Sequence, residues 1–321
     1  MRAVQVGEFG GPEVLTSVEK PDPRPEPGQV LVRMVAVDVL FLDTKLRQGW
    51  GRQYFDTNPP YIPGDGVAGE VVALGEDVDP AWLGRTVVAS TDNSGTYAEL
   101  VAVDESELAA IPDGLDERSA AVLLHDATTA LLLCDHAAVR PGERVLVTAA
   151  AGGAASIIIQ LARSAGAQVV GAARGEQKLD LVRQLGAEPV DYGEAGWAEK
   201  VRDLTGGVDV VFDGAGGRYG MEAFQTVDDG ARVITYGASD SDFATIDADE
   251  AKRRDVTVTG LLDVQYTSRR QRRDLLDKAL AEAAAGHITP TIGKSFPLAR
   301  AADAHAAIER REIIGRAVLL G

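Results

Sequence analysis

The stretch Val145-Leu146-Val147-Thr148-Ala149-Ala150-Ala151-Gly152-Gly153-Ala154-Ala155-Ser156-Ile157-Ile158-Ile159-Gln160-Leu161-Ala162-Arg163 reads as a β-branched strand, a turn of small residues only, and an amphipathic helix. A second β-branched run, Gln168-Val169-Val170-Gly171-Ala172-Ala173, ends in Arg174, with Lys178 and Arg183 on the helix that follows. Small residues belong where a backbone must approach a pyrophosphate and present its N–H groups at a helix N-terminus. An acid at the end of the second strand would bind a free 2′-hydroxyl, whereas a cation suits a 2′-phosphate. The turn, Ala149-x-x-Gly152-x-x-Ala155, falls short of the full glycine fingerprint, and similar turns occur in α/β proteins that hold no nucleotide. The basic residues after the second strand tip the balance toward a βαβ unit that holds NADP rather than NAD.

Outward from this unit, strands and helices alternate. Strands are expected at Arg144–Thr148, Gln168–Ala173, Val208–Asp213, Ala231–Tyr236 and Val256–Leu262, after a helical run from Ala120 to Ala138 that Arg140-Pro141-Gly142 closes. Such alternation describes a doubly wound parallel sheet. Upstream the chain is β-rich. Gln29 to Val37, Gly66 to Leu74, Thr86 to Ser90 and Tyr97 to Ala102 are short apolar runs between Pro and Gly clusters, which suggest a small barrel. The tail carries a charged helix, Arg269 to Ala285, and a last strand, Gly315 to Leu320; it is too short for a domain and should return to the first one. The expected α/β architecture is therefore a β-barrel domain from residues 1–119 and 263–321, and a nucleotide-binding domain from 120–262.

The chain has 321 residues, 45% of them hydrophobic and 25% charged, as in globular proteins. A net charge of −17 argues against nucleic acid as a partner, because polyanions bind proteins that supply cations. No run approaches the ~20 apolar residues of a membrane span. Met1-Arg2-Ala3-Val4-Gln5-Val6-Gly7 has no signal-peptide pattern, which points to the cytoplasm. Cys134 is the one cysteine, so an internal disulfide and a multi-cysteine metal site are excluded; its neighbours Leu131 to Leu133 mark a core helix position.

Taken in order, several motifs resemble the medium-chain dehydrogenase/reductase superfamily, and within it the zinc-independent quinone oxidoreductase branch. They are Met1-Arg2-Ala3-Val4, Gly10-Gly11-Pro12-Glu13-Val14-Leu15, Pro27 to Val32, Asp43 to Gly49, Pro63 to Val71, Gly95-Thr96-Tyr97-Ala98-Glu99, and the turn and helix from Ala149 to Gln160. The resemblance implies a GroES-like barrel domain beside a Rossmann domain. It also implies hydride transfer from NADPH to a conjugated carbonyl: a quinone, or an α,β-unsaturated ketone, aldehyde or thioester. Zinc relatives carry an early Cys, absent from Val37 to Asp43, and a Gly-His-Glu where this chain has Gly64-Asp65-Gly66. With Asp65 as the lone candidate ligand, no catalytic metal is expected.

The resemblance implies cofactor contacts at Thr129 near the nicotinamide, Gly152, Gly153 and Ala154 at the pyrophosphate, Arg174 and Lys178 at the 2′-phosphate, and Tyr192 near the adenine. Gly214 and Gly216, with Tyr236 and Gly237, end strands, where ligands of open α/β sheets bind. The substrate pocket is expected to include Leu40, Asp43, Trp50, Tyr54, Tyr61 and Asp65. Leu40 and Asp126 depart from the usual Asn and Gly of relatives, which suggests a remodelled site. Catalytic candidates are Tyr54, Asp126 and Thr129, for positioning and for protonating the enolate; water is an alternative donor. His125 and Asp126 are adjacent and point apart on a helix, so a helix-end role is favoured over a relay between them.

Two other functions stay open beside the reductase of small-molecule substrates. One is a specialised secondary-metabolite enzyme performing an atypical reduction or cyclisation on the same fold, and the other a non-catalytic NADPH-binding protein. The uncharged run Val256 to Leu262 at the sheet's end suggests a homodimer paired edge to edge.

Overall fold

The computed structural model describes residues 1–52, 55, 57–91, 94–240, 242–264 and 268–321. The chain forms two units. One comprises Met1–His125, Leu276–Gly286 and Pro290–Gly321; the other comprises Asp126–Leu275 and His287–Thr289.

The second unit is built on a six-stranded parallel sheet. Its spatial order is Glu188–Asp191, Gln168–Ala173, Arg144–Thr148, Val208–Asp213, Val227–Thr235 and Thr257–Gly260. Counted along the chain this is 3-2-1-4-5-6, and the order reverses beside Arg144–Thr148. That strand is central because its apolar residues are covered on both faces: Val145, Leu146 and Val147 are fully buried, as are Val210, Val211 and Phe212 opposite them. A crevice for a ligand lies outside the carboxyl ends of the two strands at the reversal, which are Thr148 and Asp213. The last strand is shorter than the uncharged run predicts. Gly260 donates its N–H to the Asp263 carboxylate at 3.0 Å, and Leu261–Asp263 turns into a 3-10 helix instead of continuing the ladder.

In the first unit the long strand Gln29–Val39 is the hub. It pairs antiparallel with Gly66–Leu74, with Leu100–Asp104 and with the C-terminal Arg316–Leu320. The C-terminal strand is thus part of this sheet, whereas residues of the tail up to Leu275 and His287–Thr289 belong to the other unit. Val30, Val32, Val37, Val67, Val87 and Leu319 pack into one core. The strand expected from Tyr97 begins at Leu100. Tyr97 instead donates its N–H to Pro63 O and buries its ring completely.

The helix after the barrel spans Glu117–Ala137, three residues earlier than the apolar run suggests, because Asp116 accepts a hydrogen bond from Ser119 N at 2.8 Å. The division between the units falls within this helix, after His125. His125 and Asp126 therefore sit in mid-helix, which corrects the helix-end role expected for them.

Candidate functional site

Strand Arg144–Thr148 enters the small-residue turn through Ala149, whose φ is +49°, an uncommon conformation for a residue with a side chain. Gly152 caps helix Gly153–Ser164 with extended backbone and no side-chain hydrogen bond. The helix start thus presents N–H groups that no cap side chain occupies, and the turn before it carries nothing larger than a methyl. Both features fit a dinucleotide pyrophosphate. The same helix start is approached by Asp126, which is 1% exposed. A Cβ added at Gly153 would lie 1.9 Å from Asp126 Oδ2.

At the reversal point a buried knot holds the loop after Asp213. Thr148 Oγ1 donates to Asp213 Oδ1 at 2.6 Å and accepts from the N–H groups of Gly214 and Ala215 at 3.0 and 3.1 Å. Asp213 Oδ1 also accepts from Ala215 and Gly216 at 3.1 Å. Burial raises the Asp213 carboxyl above its ordinary range against these hydrogen bonds. The glycines are required by contact: a Cβ at Gly237 would lie 2.5 Å from Gly214 O, and one at Gly214 would lie 2.7 Å from the Tyr236 hydroxyl. Gly214, Gly216, Tyr236 and Gly237 are thereby gathered at the carboxyl ends of neighbouring strands.

Arg174 is exposed at the end of its strand, and its loop is tied down by Asp191. The Asp191 carboxylate accepts from Gly175 N at 3.1 Å and from Gly193 N at 2.7 Å. Asp191, paired in register with Ala173 at this strand end, is thus engaged with backbone. Lys178 lies half-buried in the helix Glu176–Gln184, four residues along the chain from Arg174. Arg183 is paired with Glu176 and Asp180 and does not join them. Tyr192 is half-buried and stacks on Tyr219 at a centroid distance of 4.3 Å.

The first unit holds a separate polar cluster. His125 sits between two carboxylates, with Nδ1 3.0 Å from Asp38 Oδ2 and Nε2 3.0 Å from Asp65 Oδ2. Burial alone would lower its pKa. The charges and hydrogen bonds of Asp38 and Asp65 outweigh that and hold it well above the usual histidine range, which favours the imidazolium form. Asp65 also accepts from Ser90 Oγ at 2.7 Å and Thr91 N at 3.2 Å. Nearby, Asp43 Oδ2 accepts from Leu40 N at 2.8 Å and from the Tyr97 hydroxyl at 3.2 Å, and that hydroxyl meets His305 Nε2 at 3.1 Å. Desolvation raises Asp43 to about 7, with the charge of Asp38 adding to it, against the Leu40 N–H and His125. Burial, with Arg47, pushes His305 down to about 3. Arg47 itself is fully buried and paired with Glu309.

Among the other expected pocket residues, Leu40 is half-buried and Trp50 is 40% exposed. The Tyr61 hydroxyl is buried without a hydrogen-bond partner among the described residues. Tyr54 lies outside the described residues. Thr129 is half-buried on Glu117–Ala137. Among the described residues no group of three or more His, Cys, Asp or Glu is placed to hold a metal ion. The Asp38–His125 contact escapes a reading of the sequence. Its one local signal is an acid inside the apolar run Val37-Asp38-Val39, where the side chain is 1% exposed.

Comparison with known proteins agrees with this geometry. Residues 26–113 match the alcohol dehydrogenase GroES-like domain family, and residues 185–319 match a zinc-binding dehydrogenase family. The chain is 32% identical to a quinone oxidoreductase of Pseudomonas aeruginosa, over 99% of each chain. It is also 32% identical to a 2-haloacrylate reductase from a Burkholderia species, over 99% of this chain and 98% of the relative. A quinone oxidoreductase of Escherichia coli, solved in complex with NADPH, superposes with a TM-score of 0.91 at 25% identity, covering 100% of both chains.

Proposed function

Because the chain belongs to the quinone oxidoreductase branch of the medium-chain dehydrogenase/reductase superfamily and is an NADPH-dependent oxidoreductase, we propose that it reduces conjugated carbonyl compounds, quinones or α,β-unsaturated carbonyls, by conjugate hydride addition. Bound NADPH supplies the hydride; the protein positions and excludes water. In this reading Gly152, Gly153 and Ala154 receive the pyrophosphate at the uncapped helix start. Arg174 and Lys178 take the 2′-phosphate, and Tyr192 borders the adenine. Thr129, Gly214, Gly216, Tyr236 and Gly237 orient the nicotinamide. Leu40, Asp43, Trp50, Tyr54, Tyr61 and Asp65 are assigned to the substrate.

The observation that carries this reading is the pairing of an uncapped helix start with an exposed Arg174, on a loop whose acid, Asp191, is engaged with backbone N–H groups. The 2-haloacrylate reductase relative supports the unsaturated acceptor, since an acrylate is a conjugated acid. The test is oxidation of NADPH across a panel of quinones, enones, enals and acrylates. Turnover on several simple acceptors is expected. Tight NADPH binding with no turnover on any of them would overturn the reading.

A specialised substrate is the second reading, favoured by the charged cluster Asp38–His125–Asp65 and by Asp126 at the helix start. It predicts activity confined to one large acceptor. The proposed assembly is a homodimer. Strand Thr257–Gly260 lies at the end of the sheet, and Val258 is 39% exposed on it. Pairing with its own copy across a two-fold axis would cover such an edge. Among the described residues no helix is long and apolar enough to cross a membrane.

A further inference from the structure

We propose that Asp38, His125 and Asp65 form a proton-delivery chain, in which Asp65 protonates the α-carbon of the reduced substrate, His125 resupplies Asp65, and buried Asp38 orients the imidazole. This inference rests on the conjugate-reduction reading above.

Three features carry it. First, the three groups are in direct contact and differ in exposure. The Asp38 side chain is fully buried, whereas those of His125 and Asp65 are 20% and 23% exposed, so access to the cluster lies on the side away from Asp38. Second, both imidazole nitrogens are engaged at 3.0 Å, which fixes the ring and aims its Nε2 at Asp65 Oδ2. The ring has no slack, because a Cβ at Gly66 would already lie 2.8 Å from His125 Cε1. Third, His125 and Thr129 are one turn apart on Glu117–Ala137 and share a face, about 6 Å along the axis. Both are half-buried, whereas Leu124, Asp126, Ala127, Thr128 and Ala130 are buried. His125 and Thr129 thus lie on one half-buried stripe of this helix.

The step balances as follows. Hydride addition forms a C–H bond at the β-carbon, and the π electrons move to give an enolate. The Nε2–H bond of the imidazolium breaks as its proton passes to Asp65 Oδ2 and on to the α-carbon, and the enolate carbonyl re-forms. Asp65 ends as the carboxylate it began as, His125 as a neutral imidazole with Nδ1–H on Asp38, and water returns the proton to Nε2. Among the described residues, Asp38 from Gln29–Val39 and Asp65 ahead of Gly66–Leu74 are titratable groups facing His125. Asp43 from Phe41–Arg47 lies farther off and is stabilised as an anion by the imidazolium. Tyr97, which holds Asp43, is a neutral phenol held well above its ordinary range.

The test uses the full chain with NADPH deuterated on the transferred position, and 2-chloroacrylate and a 2-methyl enone as probes, because their α-carbons become stereocentres. Wild type should place deuterium on the β-carbon and yield one configuration at the α-carbon. Asp65→Asn and His125→Gln should lower kcat by about 100-fold, the usual range for a lost general acid. They should give mixed α-carbon configuration, still place deuterium on the β-carbon, and leave the Kd for NADPH unchanged. Variants that turn over within threefold of wild type and keep one configuration would show the chain to be structural and overturn the inference. So would a wild-type product that is itself mixed. Wild type that places no deuterium on any probe would overturn the conjugate-reduction reading, and this inference with it. If His125→Gln does not fold, Asp65→Asn, whose side chain reaches solvent, carries the same comparison, and Asp65→Glu should restore a single configuration.

Discussion

The carboxylate of Asp126 occupies the space that any side chain at Gly153 would need: a Cβ there would fall 1.9 Å from Oδ2. A buried acid is thus packed against the first residue of helix Gly153–Ser164, which the proposed function assigns to the cofactor. The N-terminal end of a helix dipole stabilises such an anion. In the proposed cofactor site the same placement would bring the Asp126 carboxyl toward the pyrophosphate.

Gly153→Ala should therefore destabilise the fold by about 1–3 kcal/mol through overpacking. Asp126→Gly in the same chain should recover most of the loss. Thermal melts of the two single variants and the double variant check this; equal losses in the single and double variants would contradict the contact.

Asp126→Asn should tighten NADPH binding severalfold, since it removes a charge beside the pyrophosphate position while keeping the side chain's size. Fluorescence titration measures it. An unchanged Kd would mean that the carboxylate is fully neutralised by its surroundings.

Arg174→Ala should raise the KM for NADPH about tenfold and leave that for NADH nearly unchanged, the lower end for a charge-assisted contact at an exposed position. Asp191→Ala should act in the same direction, because its carboxylate holds Gly175 and Gly193 around Arg174. Equal losses with both cofactors would mark Arg174 as structural.

Asp43 makes stability depend on pH. Its pKa rises from 3.8 to about 7 on folding, so the native state holds the proton more tightly than the unfolded chain. The resulting stabilisation is complete below 3.8 and is lost as pH rises through 7, on the order of 4 kcal/mol for a buried carboxyl. Asp43→Asn cannot ionise, and its amide oxygen can still accept from Leu40 N. Relative to wild type it should gain stability between pH 5 and pH 8.5 (about the window set by that shift). Denaturant melts at the two pH values decide; parallel curves would refute the assignment.

Val258→Lys should shift the protein from a dimer to a monomer in light scattering, by placing charge on the edge strand Thr257–Gly260. A mass of one chain for wild type at all concentrations would refute the dimer.

What depends on near neighbours is readable along the chain. The strand, small turn and helix around Gly152 were legible because each signal lies within one element, and Arg174 because strand ends line up in a parallel sheet. Helical spacing likewise showed that His125 and Asp126 point apart. It did not show that they were mid-helix, since the start is set by Asp116, outside the apolar run. Only the tertiary structure decided where those side chains lead. His125 meets Asp38 and Asp65 across 87 and 60 residues of chain, and Thr148 meets Asp213 across 65. Periodicity specifies which face a residue takes, but it carries no information about what another element brings to that face. An ion pair in the interior is set by the register of distant strands, and those strands are chosen by the burial of the whole apolar core.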